Sequence, residues 1–202
     1  MSFTLFAAFV AATAALMLIP GPNVALIVAN SLRFGVRGGV ITVVGTSTAM
    51  VVQLAIAALG VSALLGTLGQ AFDVLRWAGV AYLIVLGVGA WRAPADDLSR
   101  TAAVSPGKTF GRGFLVSLTN PKTLAFYGAF LPQFLDPAAP LGHQMAILSV
   151  TFVTTALIID GGWAILAGRA RGVLARFGRA RNRVIGAVLV GAAVGLALAR
   201  RI

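Results

Sequence analysis

The chain has 202 residues, of which 59% are apolar and only 10% charged, against about 25% charged residues in a typical soluble protein, so the composition excludes a water-soluble fold. The net charge of +11 comes from basic residues that lie between long apolar runs, which is typical of membrane topology signals and not of a nucleic-acid-binding protein. The chain has no cysteine and a single histidine, His143, so thiolate and multi-histidine metal sites are excluded, and we predict no metal and no cofactor.

Six apolar runs follow one another along the chain. A helix needs about 20 apolar residues to cross a bilayer, and we predict six transmembrane helices within the runs 3–33, 38–67, 74–91, 109–135, 144–168 and 184–200. The first run resembles a signal peptide, but it has no basic residue before it and its apolar sequence continues past Pro22. We therefore predict a retained first helix in an all-α membrane protein.

The first run contains the sequence Pro20-Gly21-Pro22, which predicts a break near its centre. Proline has no N–H, so Pro20 and Pro22 leave the carbonyls of Leu16 and Leu18 without helical partners. Beyond the break a new helix can begin, with Gly21 as its N-cap and Pro22 at its first position.

The second run carries polar side chains at a similar depth. Gln53 and the cluster Thr46, Ser47 and Thr48 can form hydrogen bonds inside the membrane. Such residues contact a substrate, join neighbouring helices or bond to their own backbone. We include Gln53 among the candidate substrate-binding residues.

A polar linker divides the chain into two halves of three spans each. We predict a first repeat at residues 1–91, a cytoplasmic linker at 92–108 and a second repeat at 109–202. An odd number of spans makes the second half begin on the opposite side of the membrane, as in an inverted-topology repeat. A second break at Asn120-Pro121-Lys122 in the fourth span corresponds to the first, although prolines in membrane helices can also be simple kinks.

Lysine and arginine residues are distributed unequally between the two sides. We number the gaps between successive predicted spans in chain order. The even-numbered gaps and the termini contain Arg76, Arg200 and Arg201. The odd-numbered gaps contain Arg33, Arg37, Arg92, Arg100, Lys108, Arg112, Arg169, Arg171, Arg176, Arg179, Arg181 and Arg183. By the positive-inside rule the odd-numbered gaps face the cytoplasm. Both termini are therefore predicted to lie outside.

The two predicted breaks offer groups of opposite polarity. Helix starts at Pro22-Asn23 and Pro121-Lys122 have unpaired N–H groups and partial positive charge, which attract a carboxylate. The carbonyls freed before each break, including that of Ser117, suit an ammonium group or a cation. Together these groups predict a site for a zwitterion.

Lys122 and Asp160 are ionisable residues inside predicted spans. Burial favours the neutral form of Asp160 and a nearby Lys122 favours its charged form, so a change in their separation can load and release a proton. Asp160 is predicted to accept either this proton or the amine of the substrate. The alternative is that the two residues pair only to hold their helices together. Tyr127, just past the second break, is a further candidate for the pocket wall, with helix or lipid packing as its alternative.

Several motifs together resemble the LysE/RhtB family of bacterial amino-acid exporters. They are Pro20-Gly21-Pro22-Asn23, the glycines Gly35, Gly38, Gly39 and Gly45, the run Trp77-Ala78-Gly79-Val80-Ala81-Tyr82-Leu83, and Thr119-Asn120-Pro121-Lys122 leading to Phe130-Leu131-Pro132-Gln133-Phe134. The resemblance covers nearly the whole chain. It implies six helices in the bacterial inner membrane and export of amino acids or their derivatives, driven by the proton gradient.

The resemblance also indicates which class of amino acid is exported. In the branch that exports lysine and arginine an acidic residue follows the second break, whereas residues 122–126 here contain none, which favours neutral amino acids of the homoserine, threonine or leucine type. An enzyme is disfavoured because a buried acid without a nearby histidine, cysteine or glutamate is a poor catalytic set. A channel, a lipid scramblase and exporters of basic amino acids or metal ions remain alternatives, and the sequence leaves a homo-oligomer open.

Overall fold

The computed structural model describes residues 2–60, 103–136 and 138–174, together with isolated positions between 77 and 92 and between 183 and 194. All regular structure in these ranges is helical. The predicted third and sixth spans, 74–91 and 184–200, lie for the most part outside the described residues, as does Tyr82. Two described helices, Pro22–Ala58 and Leu141–Val173, are long and apolar enough to cross a membrane.

The predicted break in the first span is present. Helix α1 runs from Phe3 to Leu18, and helix α2 begins at Pro22 and continues to Gly60. Between them Ile19 has an extended conformation, with φ −68° and ψ 118°. Ala25 N–H donates to the Gly21 carbonyl at 2.9 Å and closes the first turn of α2, so Gly21 occupies the N-cap position as predicted.

Helix α2 reverses direction at Gly35 and forms a helical hairpin. Gly35 has φ 71° and ψ −175°, a backbone conformation that glycine adopts without steric penalty. Across the hairpin, Asn30 Nδ2 donates to Thr42 Oγ1 at 2.8 Å. The reversal falls in the predicted gap between the first and second spans, so α2 comprises a first arm, 22–34, and a second arm, 36–60.

The fourth predicted span is broken at the predicted place and is more irregular than expected. Helix α3 covers Pro106–Leu118, and α4 covers Pro121–Ala125. A π-helical turn, Phe126–Phe130, and a 3₁₀ turn, Leu131–Phe134, follow. Because proline is well suited to a first helical turn, α3 begins at Pro106, within the range predicted as linker.

Helix α3 packs closely against the second arm of α2. A Cβ added at Gly113 would lie 2.7 Å from the Thr42 carbonyl oxygen, and one at Gly45 would clash with the backbone of Phe110. Side chains at these two glycines would push the helices apart. The close approach brings the end of α3 beside the middle of α2.

Helix α5 covers Leu141–Leu174 and packs along α2 and α1. At 1.5 Å per residue it is about 51 Å long, more than the roughly 30 Å of a hydrocarbon core. In the most apolar 18-residue stretch of α5, only 28% of the residues are buried within the protein. Many of the exposed side chains of α5 are aliphatic, among them Ile147, Val150, Leu157, Ile158, Ile165, Leu166 and Val173. A long helix with an exposed aliphatic surface fits a lipid environment.

An aromatic cluster joins α1 to the segment after the second break. Phe9 packs against Phe126 and Phe134, with ring centroids 6.0 and 5.2 Å apart. Tyr127 lies edge-on to Phe152 of α5, with centroids 5.0 Å apart. The cluster anchors α1, the π-helical turn and α5 to one another.

Candidate functional site

The two breaks lie side by side in the fold. Lys122, at the start of α4, reaches the end of α1, where its Nζ donates to the carbonyls of Leu16 at 2.7 Å and Ile19 at 2.8 Å. A Cβ at Gly21 would lie 3.6 Å from Lys122 Cε and Nζ, so the lysine side chain covers this glycine. The Leu16 carbonyl, which Pro20 leaves without a helical partner, therefore receives an ammonium group from the other break.

The carbonyls at the second break are also occupied. Asn120 N–H donates to the Ser117 carbonyl at 3.0 Å. Gln53 Nε2, from the second arm of α2, donates to the same carbonyl at 3.0 Å and to that of Leu118 at 2.9 Å. Side chains of this chain thus occupy the Leu16 and Ser117 acceptors that the sequence analysis assigned to an ammonium group.

Ser117 connects the two breaks. Asn23 Nδ2, from the start of α2, donates to Ser117 Oγ at 3.2 Å. Ser117 Oγ in turn donates to the Thr46 carbonyl at 3.0 Å. Sequence reasoning identified only the Ser117 carbonyl. Its position four residues before Pro121 was a signal for the carbonyl, but nothing in the pattern indicated the hydroxyl contacts.

The two contacts between the breaks are reciprocal. Asn23 and Lys122 each follow the proline that begins a helix after a break. Each contacts the end of the helix before the opposite break: Asn23 contacts Ser117 of α3, and Lys122 contacts Leu16 of α1 and the following Ile19.

Several buried polar atoms, including those of Asn23, Gln53 and Asn120 at the breaks, have no hydrogen-bond partner. Buried polar groups in proteins are nearly always paired, so such atoms need an explanation, often a water or a ligand. The atoms are Asn23 Oδ1, Ser47 Oγ, Gln53 Oε1, Asn120 Nδ2, Tyr127 OH and both carboxylate oxygens of Asp160. Donors and acceptors are both present, so the set can serve a ligand with groups of both kinds.

Asn120 is an N-cap with one unused donor. Its Oδ1 accepts from Lys122 N–H at 3.1 Å, which caps α4 as predicted. This contact turns Nδ2 the other way, and Nδ2 is buried without an acceptor. Since the residue is only 1% exposed, the unused donor is available to a group inside the protein.

Asp160 lies in the middle of α5 and is 1% exposed. Its carboxylate and the Lys122 ammonium interact electrostatically, but both carboxylate oxygens lack a hydrogen-bond partner. Lys122 donates its hydrogen bonds to carbonyls instead. The structure thus brings the two residues into electrostatic range without a hydrogen-bonded ion pair.

The other predicted site residues differ in their surroundings. Gly21 and Pro22 are buried, whereas Pro20 is exposed. Tyr127 is buried in the aromatic cluster with an unpaired hydroxyl. Within the described ranges, no three acidic, histidine or cysteine residues are close enough together to hold a metal ion.

A separate groove of about 490 Å³ lies between the second arm of α2 and the first half of α5. Its walls are mainly aliphatic and include Leu54, Met145 and Val153. It contains none of the predicted site residues. Such an apolar groove suits lipid tails or a neighbouring helix better than a zwitterion, so the breaks remain the candidate site.

Comparison with known proteins identifies the family of this chain. Residues 14–200 match the family model described as LysE type translocator. The chain belongs to this family. No solved structure matches it.

Several named proteins are similar to this LysE-family chain along most of its length. The homoserine/homoserine lactone efflux protein of Salmonella typhimurium is 36% identical over 171 residues, which are 84% of this chain and 83% of the relative. The leucine efflux protein of the same organism is 33% identical over 192 residues, or 90% and 89% of the two chains. An uncharacterized membrane protein of Vibrio cholerae is 29% identical over 191 residues. Family membership and the exposed apolar helices together identify a membrane protein and a transporter.

Proposed function

We propose that this LysE-family protein exports neutral amino acids or their derivatives, of the homoserine, threonine or leucine type, from the cytoplasm. The observation that carries the proposal is the group of unpaired polar atoms buried around the two helix breaks. A zwitterion of amino-acid size provides donors and acceptors for such atoms. The names of the two Salmonella relatives, for homoserine and its lactone and for leucine, support the same substrate class.

The proposed architecture is six transmembrane helices in two inverted three-helix repeats, in the bacterial inner membrane with both termini outside the cytoplasm. The reciprocal contacts of Asn23 and Lys122 support the repeat, and the charge distribution supports the orientation.

The substrate carboxylate binds in this proposal near the helix starts, at Gly21–Asn23 and Asn120–Lys122. The unused Nδ2 donor of Asn120 supports this assignment, because an amide N–H adjoining a helix start is a good partner for a carboxylate. Pro20 and Pro22 shape the first break, and Pro121 shapes the second. Tyr127 contributes a hydroxyl close to the second break.

Proton antiport through Asp160 is the proposed driving mechanism. Asp160 is a buried residue in the middle of α5 with two unpaired carboxylate oxygens, within electrostatic range of Lys122. A buried carboxylate changes its proton occupancy when its distance from a cation changes. Alternating access would change that distance as the two halves move against each other.

Replacing Asn120 with aspartate tests the carboxylate site. Aspartate is also a good N-cap, so one oxygen of the introduced carboxylate can still accept from Lys122 N–H, while the Nδ2 donor becomes a second acceptor oxygen. We expect the KM of the transported amino acid to rise about tenfold or more, with little change for its methyl ester or lactone, which has no free carboxylate.

The measurement is competition against labelled amino-acid counterflow in proteoliposomes. Thr48→Val is a matched control, because Thr48 is exposed and donates only to the Val44 carbonyl of its own helix. An equal rise in KM for the amino acid and its ester in the Asn120→Asp protein would contradict carboxylate binding at this residue.

A further inference from the structure

Two amide side chains beside the second break contact Ser117 through their nitrogens, so their oxygens face away from Ser117. Gln53 Nε2 donates to the Ser117 and Leu118 carbonyls. A carbonyl can only accept hydrogen bonds, so the nitrogen of Gln53 has to face both carbonyls. Its Oε1 therefore points in the other direction, and no 180° flip of the amide is compatible with these partners.

The orientation of Asn23 is determined in the same way. The Ser117 hydroxyl proton is donated to the Thr46 carbonyl, so Ser117 Oγ acts as an acceptor toward Asn23. Only the nitrogen of Asn23 can donate to it. Asn23 Oδ1 is therefore also turned away, and both amides depend on the same residue, Ser117.

Both oxygens are buried acceptors without a donor. Asn23 is 4% exposed and Gln53 is 6% exposed, and neither Oδ1 nor Oε1 has a partner. The Leu16 and Ser117 carbonyls freed by the helix breaks already accept from Lys122 and Gln53 in this conformation. The amide oxygens are acceptors beside the same breaks that do remain open.

We propose that Asn23 Oδ1 and Gln53 Oε1 together bind the ammonium group of the transported amino acid, and that Ser117 and the end of α3 orient both amides for this purpose. The inference rests on the proposed function and assigns the ammonium to neutral oxygens, which leaves Asp160 to the proton. An ammonium group has three donors and no acceptor, so it matches a pair of acceptor oxygens.

The name of one relative fits an ammonium-centred site. The Salmonella typhimurium protein is named for efflux of both homoserine and homoserine lactone. These two compounds share an α-amino group, but the lactone has no free carboxylate. Recognition through the ammonium group is therefore the feature that both compounds can use.

N-methylated substrates test the inference on the wild-type protein. Two acceptor oxygens require two N–H donors, which the N-methyl amino acid retains and the N,N-dimethyl and trimethyl forms do not. In competition with counterflow of the labelled amino acid, we expect about tenfold or greater weakening at the second methyl group and no recovery at the third. Equal competition by the parent and trimethyl compounds, or exchange that requires sodium, would overturn the assignment.

Variants separate binding from structural support. Ser117→Ala removes the acceptor that orients Asn23, and Gln53→Met removes the second amide. In the 2-hydroxy-acid analogue of the substrate a hydroxyl replaces the ammonium group. In both variants we expect the preference for the amino acid over this analogue to fall about tenfold. The preference for the amino acid over its methyl ester should stay unchanged. Ser31→Ala is the matched control, because the buried Ser31 hydroxyl donates to the Ile27 carbonyl of its own helix.

The outcomes distinguish this inference from the proposed function. If the wild-type protein exchanges no amino acid, the proposed function fails. If it exchanges amino acids but is indifferent to N-methylation, only the ammonium site fails. Equal loss of both preferences in Ser117→Ala would assign Ser117 a purely structural role and contradict the inference. If the variants do not fold, the series of N-methylated substrates on the wild-type protein decides the question.

Discussion

Replacing Lys122 with methionine is expected to destabilise the protein and to reduce transport more than about 30-fold. The substitution keeps most of the side-chain length but removes the ammonium that donates to Leu16 and Ile19. Helix α1 has no basic residue in its last turn, so Lys122 provides the cation at its negative end. Each hydrogen bond to a charged group contributes about 1.5–3 kcal/mol, so we expect a loss of about 2 kcal/mol or more in unfolding free energy.

Thermal unfolding in detergent and the initial rate of counterflow measure the two effects of Lys122→Met. Lys108→Met is the matched control, since Lys108 is an exposed residue in the first turn of α3 and lies away from both breaks. We expect the control to resemble the wild type in both measurements. Wild-type stability and transport in Lys122→Met would contradict the role of this lysine in joining the breaks.

Replacing Asp160 with asparagine is expected to abolish coupling to the proton gradient while exchange continues. The carboxylate oxygens have no hydrogen-bond partner, so the nearly isosteric amide removes no existing bond. Asparagine cannot take up and release a proton in the physiological range. For one proton per substrate, a gradient of one pH unit corresponds to about 1.4 kcal/mol, or about tenfold accumulation, which the variant should lose completely.

The measurement compares accumulation driven by an imposed pH gradient with counterflow in the absence of a gradient. Asp136→Asn is the matched control, because Asp136 Oδ1 accepts from Ala138 N–H in the turn before α5. We expect this control to accumulate substrate normally. Gradient-driven accumulation by Asp160→Asn at the wild-type level would show that another group carries the proton.

The helix breaks could be predicted because their causes are local. Proline lacks an N–H and has a fixed φ, so Pro22 and Pro121 can end one helix and begin another whatever surrounds them. Asn120 is a strong N-cap for the same local reason. These positions agree with the structure, as does the reversal at Gly35, where the sequence has a gap between apolar runs.

The contacts between the breaks could not be predicted because they join residues far apart in the chain. The sequence shows that the Leu16 carbonyl lacks a helical partner, but Lys122 reaches it from 106 residues away. Likewise, Gln53 approaches Ser117 only because α2 and α3 pack closely. The π-helical turn at Phe126–Phe130 has no clear local signal in its sequence, Phe-Tyr-Gly-Ala-Phe.

In the proposed function, the two helix breaks form the substrate site of a neutral amino-acid exporter. The most direct test of this proposal is counterflow of a labelled panel of neutral and basic amino acids in proteoliposomes, with and without an imposed pH gradient. We expect saturable exchange of a neutral amino acid that responds to the gradient. The proposed site would be contradicted if the protein exchanged no neutral amino acid. It would also be contradicted by non-saturable passage, as in a channel, or by lipid movement specific to a headgroup.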